Sequence, residues 1–569
     1  MKRLNTDLFS KWGLVAIVCV AFILRIAWLD RFPLGLHADE VSQGYNAYSL
    51  LKTGKDEHGV SWPVSLRAFG EWKPPLETYL TIPTIAFFGL SPWGIRLPSA
   101  LFGTATVVLI YFLTRSLLQK TQTTTSSDAN HVAITSALLL TISPWHILQS
   151  RVAMHGTIAL FFWMLGILGF IKGTNFSRWF IISSIGFVGA IYAYYGMQVV
   201  VPLTLGLLII WNWKVLGKLG ISLLLPIIIG CILMIPLVVG FMKESNVLVG
   251  RARYISIFYD KGVDLTIWDL ATQDQGKLPI LITRLLHNKP YQYTLEIIKR
   301  AWQHLDGRFL FVAGDTHEPF QIPNMGVIYL VDIIFLFLGL RFVYRKSPAL
   351  LFFLLTLITI SLLPAALTFL TPASNRTFTL VLPLTLIIAC GITFYFTLKK
   401  FRLSTHLFTT GLYGLSFVYF LFQFLYVLPT FHADWWKAGY KELVAYLRTQ
   451  EKTHPSIVIA GNTGVPYIFF VWYNQIDPTT AQSQLVRNYT KDELGFEHVD
   501  RMGIYQFPRN FLWSSQGVQL SPGTLLVTVP GEPVGESAYE IKDIFYPDGK
   551  IAYKIYLISD RYQSRHTFL

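Results

Sequence analysis

Eleven apolar runs, at 12–29, 93–118, 132–148, 154–172, 178–195, 197–213, 219–241, 324–342, 348–370, 377–397 and 405–428, decide what this chain can fold into. Each is near the length that crosses the hydrocarbon core of a bilayer as a helix. Backbone polar groups meet no water in that core, so such runs must close their hydrogen bonds internally. The expected fold is a mainly α polytopic membrane protein. Basic residues gather in alternate connections: Arg115 with Lys120, Lys172 with Arg178, Lys214 with Lys218, Arg341 with Arg345 and Lys346, and Lys399, Lys400 and Arg402. By the positive-inside rule these connections share the cytoplasmic side with Lys2, Arg3 and Lys11. The N-terminus is then cytoplasmic, in a plasma (inner) membrane. The segments 30–92, 242–322 and 429–569 face outward. A cleaved secretory leader is disfavoured, because Arg25 interrupts the first run and no small-residue cleavage site follows it.

Only 14% of the 569 residues are charged, where soluble domains carry roughly 25%. The net charge of +14 resides mostly in the short connections, which argues against a nucleic-acid-binding face. Cys19, Cys231 and Cys390 each lie within an apolar run, so no disulfide or cysteine metal site is expected. The segment 121–130 (TQTTTSSDAN) reads as a flexible inner loop and 242–322 as a long hydrophilic excursion. Residues 429–569 read as a small extracytoplasmic α/β domain. An amphipathic helix is expected over 436–447, with strands over 456–460, 504–507, 524–529 and 552–558.

The membrane domain, 1–428, concentrates its chemistry in the outer loop between its first two runs. Residues 37–81 hold the acid pair Asp39-Glu40, a third acid Glu71, the amine Lys73 and a Pro74-Pro75 stop. Asp39 and Glu40 immediately precede a helix-like segment, 41–51, where a carboxylate would cap the orphan amides. A carboxylate at a membrane surface also suits a general base that takes a proton from an acceptor hydroxyl. Lys73, before two prolines that favour extended backbone, is placed either to snorkel or to meet a lipid phosphate. Arg151 and His155, four residues apart, and Arg376 in the turn 371–377 (TPASNRT) are read on the outer side. Arginines there run against the positive-inside bias and call for an anion: a lipid phosphate, or Asp39, Glu40 or Glu71. His37, Asp39, Glu40 and His58 match no defined metal-ligand spacing, so no metal is assigned and a divalent cation stays open. No phosphate loop, dinucleotide fingerprint, nucleophile elbow or Asp-x-Asp pair occurs.

The order of these features resembles a known family. A first span, an outer Asp39-Glu40, the stretch Glu71 with Lys73-Pro74-Pro75-Leu76, and then Arg96 and Pro98 near the start of the next span are similar to the GT-C membrane glycosyltransferases. The likeness is to their protein-mannosyltransferase and aminoarabinose-transferase superfamily, glycosyltransferase family 39 in kind. Arg151 and Asn375-Arg376 fit the same order. The resemblance runs over about residues 10–400 and implies a GT-C fold and a polyprenyl-phosphate sugar donor. The acceptor, a lipid, glycan or protein, would lie on the outer face. It implies Asp39 as base, Glu40 as a positioning or substrate-binding acid, and Lys73 on the leaving phosphate. Glu71, Arg151, His155 and Arg376 complete the substrate-binding set. No trefoil-like insert appears in the outer loops, which departs from the eukaryotic protein mannosyltransferases. The rivals are a lipid or sugar flippase, which would carry mid-span charges and matched broken helices, and a non-catalytic scaffold for the tail.

Overall fold

In the computed structural model the described residues are 2–243, 255–259, 261–274, 276–397, 403–460, 465–492, 495–509 and 511–559. Lys399, Lys400 and Arg402 lie outside them. The chain divides into two compact units, Met1–Ala27 with Ser99–Gln423 and Trp28–Pro98 with Phe424–Leu569. The first outer loop and the tail, 430 residues apart in places, thus fold as one unit.

The helical unit is built from the apolar runs. Each of the eleven is helical over at least half its length, beginning with α1 (Lys2–Ile26). Among the described residues six helices are long and apolar enough to cross a membrane, and a bent pair makes a seventh. Trp12–Ile26 and Trp179–Ala193 are apolar but shorter. The bent pair corrects the expected run 132–148: Ser126–Ile142 and Pro144–Ser150 meet at 60°. Pro144 has no N–H for the ladder, and the Ser143 hydroxyl accepts the His146 N–H to start the second piece. The expected run 324–342 begins later, as Asp332–Lys346. The Asp332 carboxylate accepts the Tyr329 N–H and the Tyr413 hydroxyl, which places a buried acid at that helix start.

Helix Gly156–Gly173 packs on Trp179–Ala193 through small residues, since a Cβ on Gly186 would strike the backbone of Gly166. Close backbone approach of this kind is how helices associate in lipid. The outer faces remain apolar: Ile221 is 85% and Met242 79% exposed, as surfaces turned to hydrocarbon must be.

Two loop expectations change. Half of the inner loop 121–130 is helical, because Thr125 caps Ser126–Ile142 by accepting the Asp128 N–H. The excursion 242–322 is not simply hydrophilic. On Lys289–Gln303, Tyr291, Leu295, Ile298 and Trp302 recur at helical spacing and are all exposed.

The second unit holds a seven-stranded mixed sheet in the order β4-β5-β6-β3-β7-β9-β8. The strands are β3 (Ile457–Ile459), β4 (Leu485–Asn488), β5 (His498–Met502), β6 (Tyr505–Gln506), β7 (Leu525–Thr528), β8 (Ala538–Phe545) and β9 (Ile551–Ile558). Strand β3 runs parallel to β6 and β7 and is buried throughout, as is β7. The helix Tyr440–Gln450 buries Tyr440, Leu443, Val444 and Leu447, as its spacing predicts. From the outer loop come α2 (Ala38–Thr53), the hairpin β1 (Leu66–Ala68) with β2 (Glu71–Lys73), and α3 (Leu76–Phe88). Gly44 of α2 lets Trp472 and Ile95 approach its backbone, which fixes the loop helix on the tail helix Pro466–Tyr473. The Tyr45 hydroxyl donates to Ile476 O at 2.9 Å.

Candidate active site

Asp39 and Glu40 stand within the first turn of α2 rather than ahead of it. The N-cap is His37, with extended backbone; its Nδ1 accepts the Asp39 N–H at 3.2 Å. Glu40 reaches back to accept the His37 N–H at 3.1 Å, closing a reciprocal capping box. The capping work therefore falls to His37 and Glu40, and the Asp39 carboxylate is not needed for it.

Glu40 is fully buried and clasped by Arg96 in a two-pronged pair, Nε to Oε1 and Nη2 to Oε2, both 2.9 Å. Such a geometry is among the stronger side-chain interactions. Arg96 also donates to the carbonyls of Leu29 (3.2 Å), Pro33 (2.9 Å) and Gly35 (2.7 Å), and its guanidinium sits over the Trp436 ring. Gly35 has a left-handed φ of +86°, and a Cβ there would collide with the Trp436 carbonyl. Glu40 and Arg96 together fasten the chain entering α2.

Asp39 has the opposite surroundings. Its side chain is 34% exposed, and Lys73 Nζ stands 3.1 Å from Oδ1. Strand pleating puts Glu71 and Lys73 on one face of β2, so Lys73 Nζ also meets Glu71 Oε2 at 3.2 Å. The Ser65 hydroxyl donates to the Lys73 carbonyl and ties down the hairpin base. The outcome is one amine between two carboxylates, one of them reachable from solvent. This arrangement can accept a proton at Asp39 and neutralise an incoming anion at Lys73.

Arg151, His155 and Arg376 belong to the helical unit. Arg151 is buried, and its Nη1 and Nη2 donate to Leu24 O and Ala27 O, each at 2.8 Å. It thereby satisfies carbonyls at the end of α1 that have no partner within the helix. His155 adopts a left-handed φ of +66° at the cap of Gly156–Gly173. Arg376 Nη1 donates to Thr368 Oγ1 (2.7 Å) and Phe369 O (2.8 Å). It lines a small open concavity with Asn375, Thr379, Tyr194, Met197 and Gly156.

Among the described residues no three His, Cys, Asp or Glu side chains are grouped as a metal site would require. The sequence reading missed three buried or half-buried ion pairs of the second unit's polar core. Besides Glu40–Arg96, Glu57 pairs with Arg487 at 3.2 Å and accepts the Tyr467 hydroxyl, and Arg67 pairs with Glu497. Burial alone would raise the Glu57 carboxyl, but Arg487, His58 and the Asn46 amide hold it below the usual range. The partners of Glu57 and Arg67 lie about 430 residues away, and no local signal marks them.

Residues 72–239 match the family model described as dolichyl-phosphate-mannose-protein mannosyltransferase. The match takes in Lys73 and begins after Asp39. No match was found among curated proteins. Among solved structures, ArnT from Cupriavidus metallidurans bound to undecaprenyl phosphate is similar over 96% of this chain and 98% of its own, with a TM-score of 0.52 at 12% identity. The same ArnT in the apo state gives a TM-score of 0.43 at 13% identity over the same shares of the two chains. The Archaeoglobus fulgidus oligosaccharyltransferase in complex with Zn and sulfate gives 0.44 at 13% identity, over 81% of this chain and 61% of that one. The chain has the GT-C fold. Family match and fold together support a membrane glycosyltransferase.

Proposed function

We propose that this protein transfers a sugar from a polyprenyl-phosphate donor to a hydroxyl of an acceptor on the outer face of the membrane, inverting the anomeric carbon. The observation that carries the reading is Lys73 Nζ placed between Asp39 and Glu71, at 3.1 and 3.2 Å. The undecaprenyl phosphate bound to the ArnT of like fold supports a polyprenyl-phosphate partner.

In the single displacement, the acceptor oxygen attacks the anomeric carbon while its proton passes to Asp39. The bond from that carbon to the phosphate oxygen breaks, and its electron pair leaves with the lipid phosphate. Lys73 has three ammonium protons, of which Asp39 and Glu71 take two. The third meets the phosphate, stabilising charge as it grows there. Glu71 keeps Lys73 oriented, and Glu40 acts as a positioning residue through Arg96. Arg376, at its own cavity, is a separate anion anchor of the helical unit. Arg151 positions the end of α1, and His155 shapes the turn before Gly156.

Lys73→Ala is expected to weaken binding of polyprenyl phosphate by roughly ten- to a hundredfold, the share of one charge-assisted contact of about 1.5–3 kcal/mol. Expression and Tm should stay near wild type. Titration of lipid phosphate into the purified variant checks this, and an unchanged affinity would leave Lys73 without a role in donor binding.

The orientation follows from the charge bias of the connections. Single cysteines at Ser61 and Ser515 are expected to react with an impermeant reagent added outside intact cells, and one at Ser126 only after permeabilisation. The reverse pattern would invert the whole topology.

A further inference from the structure

A second concavity, shallow and open to solvent, lies in the same unit as Asp39 and Lys73. Its walls include His58, the hairpin tip Phe69–Gly70, Tyr467, Tyr489 and Glu497. The tip is held in an unusual conformation: Phe69 has φ +55° and Gly70 φ +81°. A bulky side chain at positive φ is rare and persists where its surroundings enforce it. Here the Glu497 N–H donates to Phe69 O at 3.0 Å, Arg67 pairs with Glu497, and a Cβ on Gly70 would strike the Glu497 backbone.

The chemistry of the walls selects the ligand. Two arginines at or beside the pocket each have a carboxylate partner, Arg67 with Glu497 and Arg487 with Glu57, and the His498 ring is hydrogen-bonded to Asp492 at 2.9 Å. An anionic or cationic ligand would gain little net attraction from balanced walls. Burial pushes the His58 imidazole down to about 4, so at neutral pH it is an uncharged group with one donor and one acceptor. Apart from a weak interaction with the Arg67 backbone, neither His58 nitrogen has a formed hydrogen bond among the described residues. Aromatic surface completes the set. Phe69 meets Tyr467 edge to face with centroids 6.0 Å apart, and Arg67 lies 4.7 Å from the centre of the Tyr489 ring, which is 55% exposed. With Phe69 and Tyr467 buried, the exposed Tyr489 ring beside neutral and internally paired polar groups suits a ring that bears hydroxyls on its rim and C–H groups on its face.

We propose that this pocket binds a neutral saccharide unit of the acceptor, separate from the sugar being transferred. The assignment to the acceptor rests on the transferase reading above. Three residues of extended chain, ~10 Å at 3.3 Å per residue, run from Gly70 to Lys73. The transferred sugar is joined to the phosphate at Lys73, so a group that far along the hairpin belongs to the other substrate. Binding energy gathered at such a remote point would hold the acceptor hydroxyl against Asp39.

The test uses saturation-transfer NMR on the full-length protein in nanodiscs, without donor. The probes are methyl glycosides of neutral hexoses and pentoses, with the matching uronic acids. At least one neutral glycoside is expected to bind saturably and its uronate no more tightly. Tyr489→Ala should raise its Kd about three- to tenfold, the worth of one aromatic contact, and Tyr489→Trp should restore it. Asp39→Asn should bind it as the wild type does. Absence of saturable binding, a tighter uronate, or a Kd indifferent to Tyr489→Ala would overturn the pocket assignment. Tyr489-dependent binding in a protein that transfers no sugar would keep the saccharide site and discard the transferase reading. Transfer with an acceptor KM unmoved by Tyr489→Ala would do the reverse.

Discussion

Asp39→Asn should abolish most sugar transfer, lowering turnover by roughly two to four orders of magnitude, the range for loss of a general base. The same variant should fold and bind donor. The structure explains why the two effects separate. The cap of α2 is made by the His37 side chain and Glu40, while Asp39 contributes only its backbone N–H, which asparagine keeps. What asparagine removes is the proton-accepting charge and an ion pair with Lys73 at a carboxylate 34% exposed. Pairs that wet contribute about 1 kcal/mol or less. Tm should therefore move little while turnover collapses. Near-native turnover would dismiss Asp39 as the base.

Arg96→Leu is expected to do the opposite, destabilising the second unit by about 3–5 kcal/mol, the usual cost of leaving one half of a buried ion pair uncompensated. Here the abandoned groups are the Glu40 carboxylate and the carbonyls of Leu29, Pro33 and Gly35, all of which accept hydrogen bonds from Arg96. Glu40→Gln, which keeps an acceptor for Arg96 and loses only the charge, should cost less. Chemical unfolding of purified protein, or the yield of folded protein for the harsher variant, gives the comparison. A loss under about 1 kcal/mol for Arg96→Leu would show that the pair does not fasten the entry to α2.

These two residues also show what was legible beforehand. The apolar runs could be read because hydrophobic length is a local property. The helix after Asp39 was visible for the same reason, within three residues at each end. The acid pair could not be divided between its two jobs from neighbouring residues, since the arginine that claims Glu40 arrives 56 positions later. The hairpin β1–β2 went unread because three-residue strands carry too little alternation. Strand β8 went unread because its face is largely exposed and its polar residues blur the pattern. The ties of the outer loop to the tail were out of reach altogether: Arg67 with Glu497 and Glu57 with Arg487 span 430 positions. The bend at Pro144 is different, because proline inside an apolar run is itself a sequence signal.

The central claim is that a lipid-linked sugar moves to an acceptor with Asp39 taking the proton. Mass spectrometry of the products formed by purified protein from polyprenyl-phosphate sugars and a panel of lipid, glycan and protein acceptors tests it most directly. The expected result is an acceptor heavier by one sugar residue, with an equal amount of polyprenyl phosphate released. Both should fall together in Asp39→Asn. Donor left intact with every acceptor, or equal product from Asp39→Asn, would contradict the account.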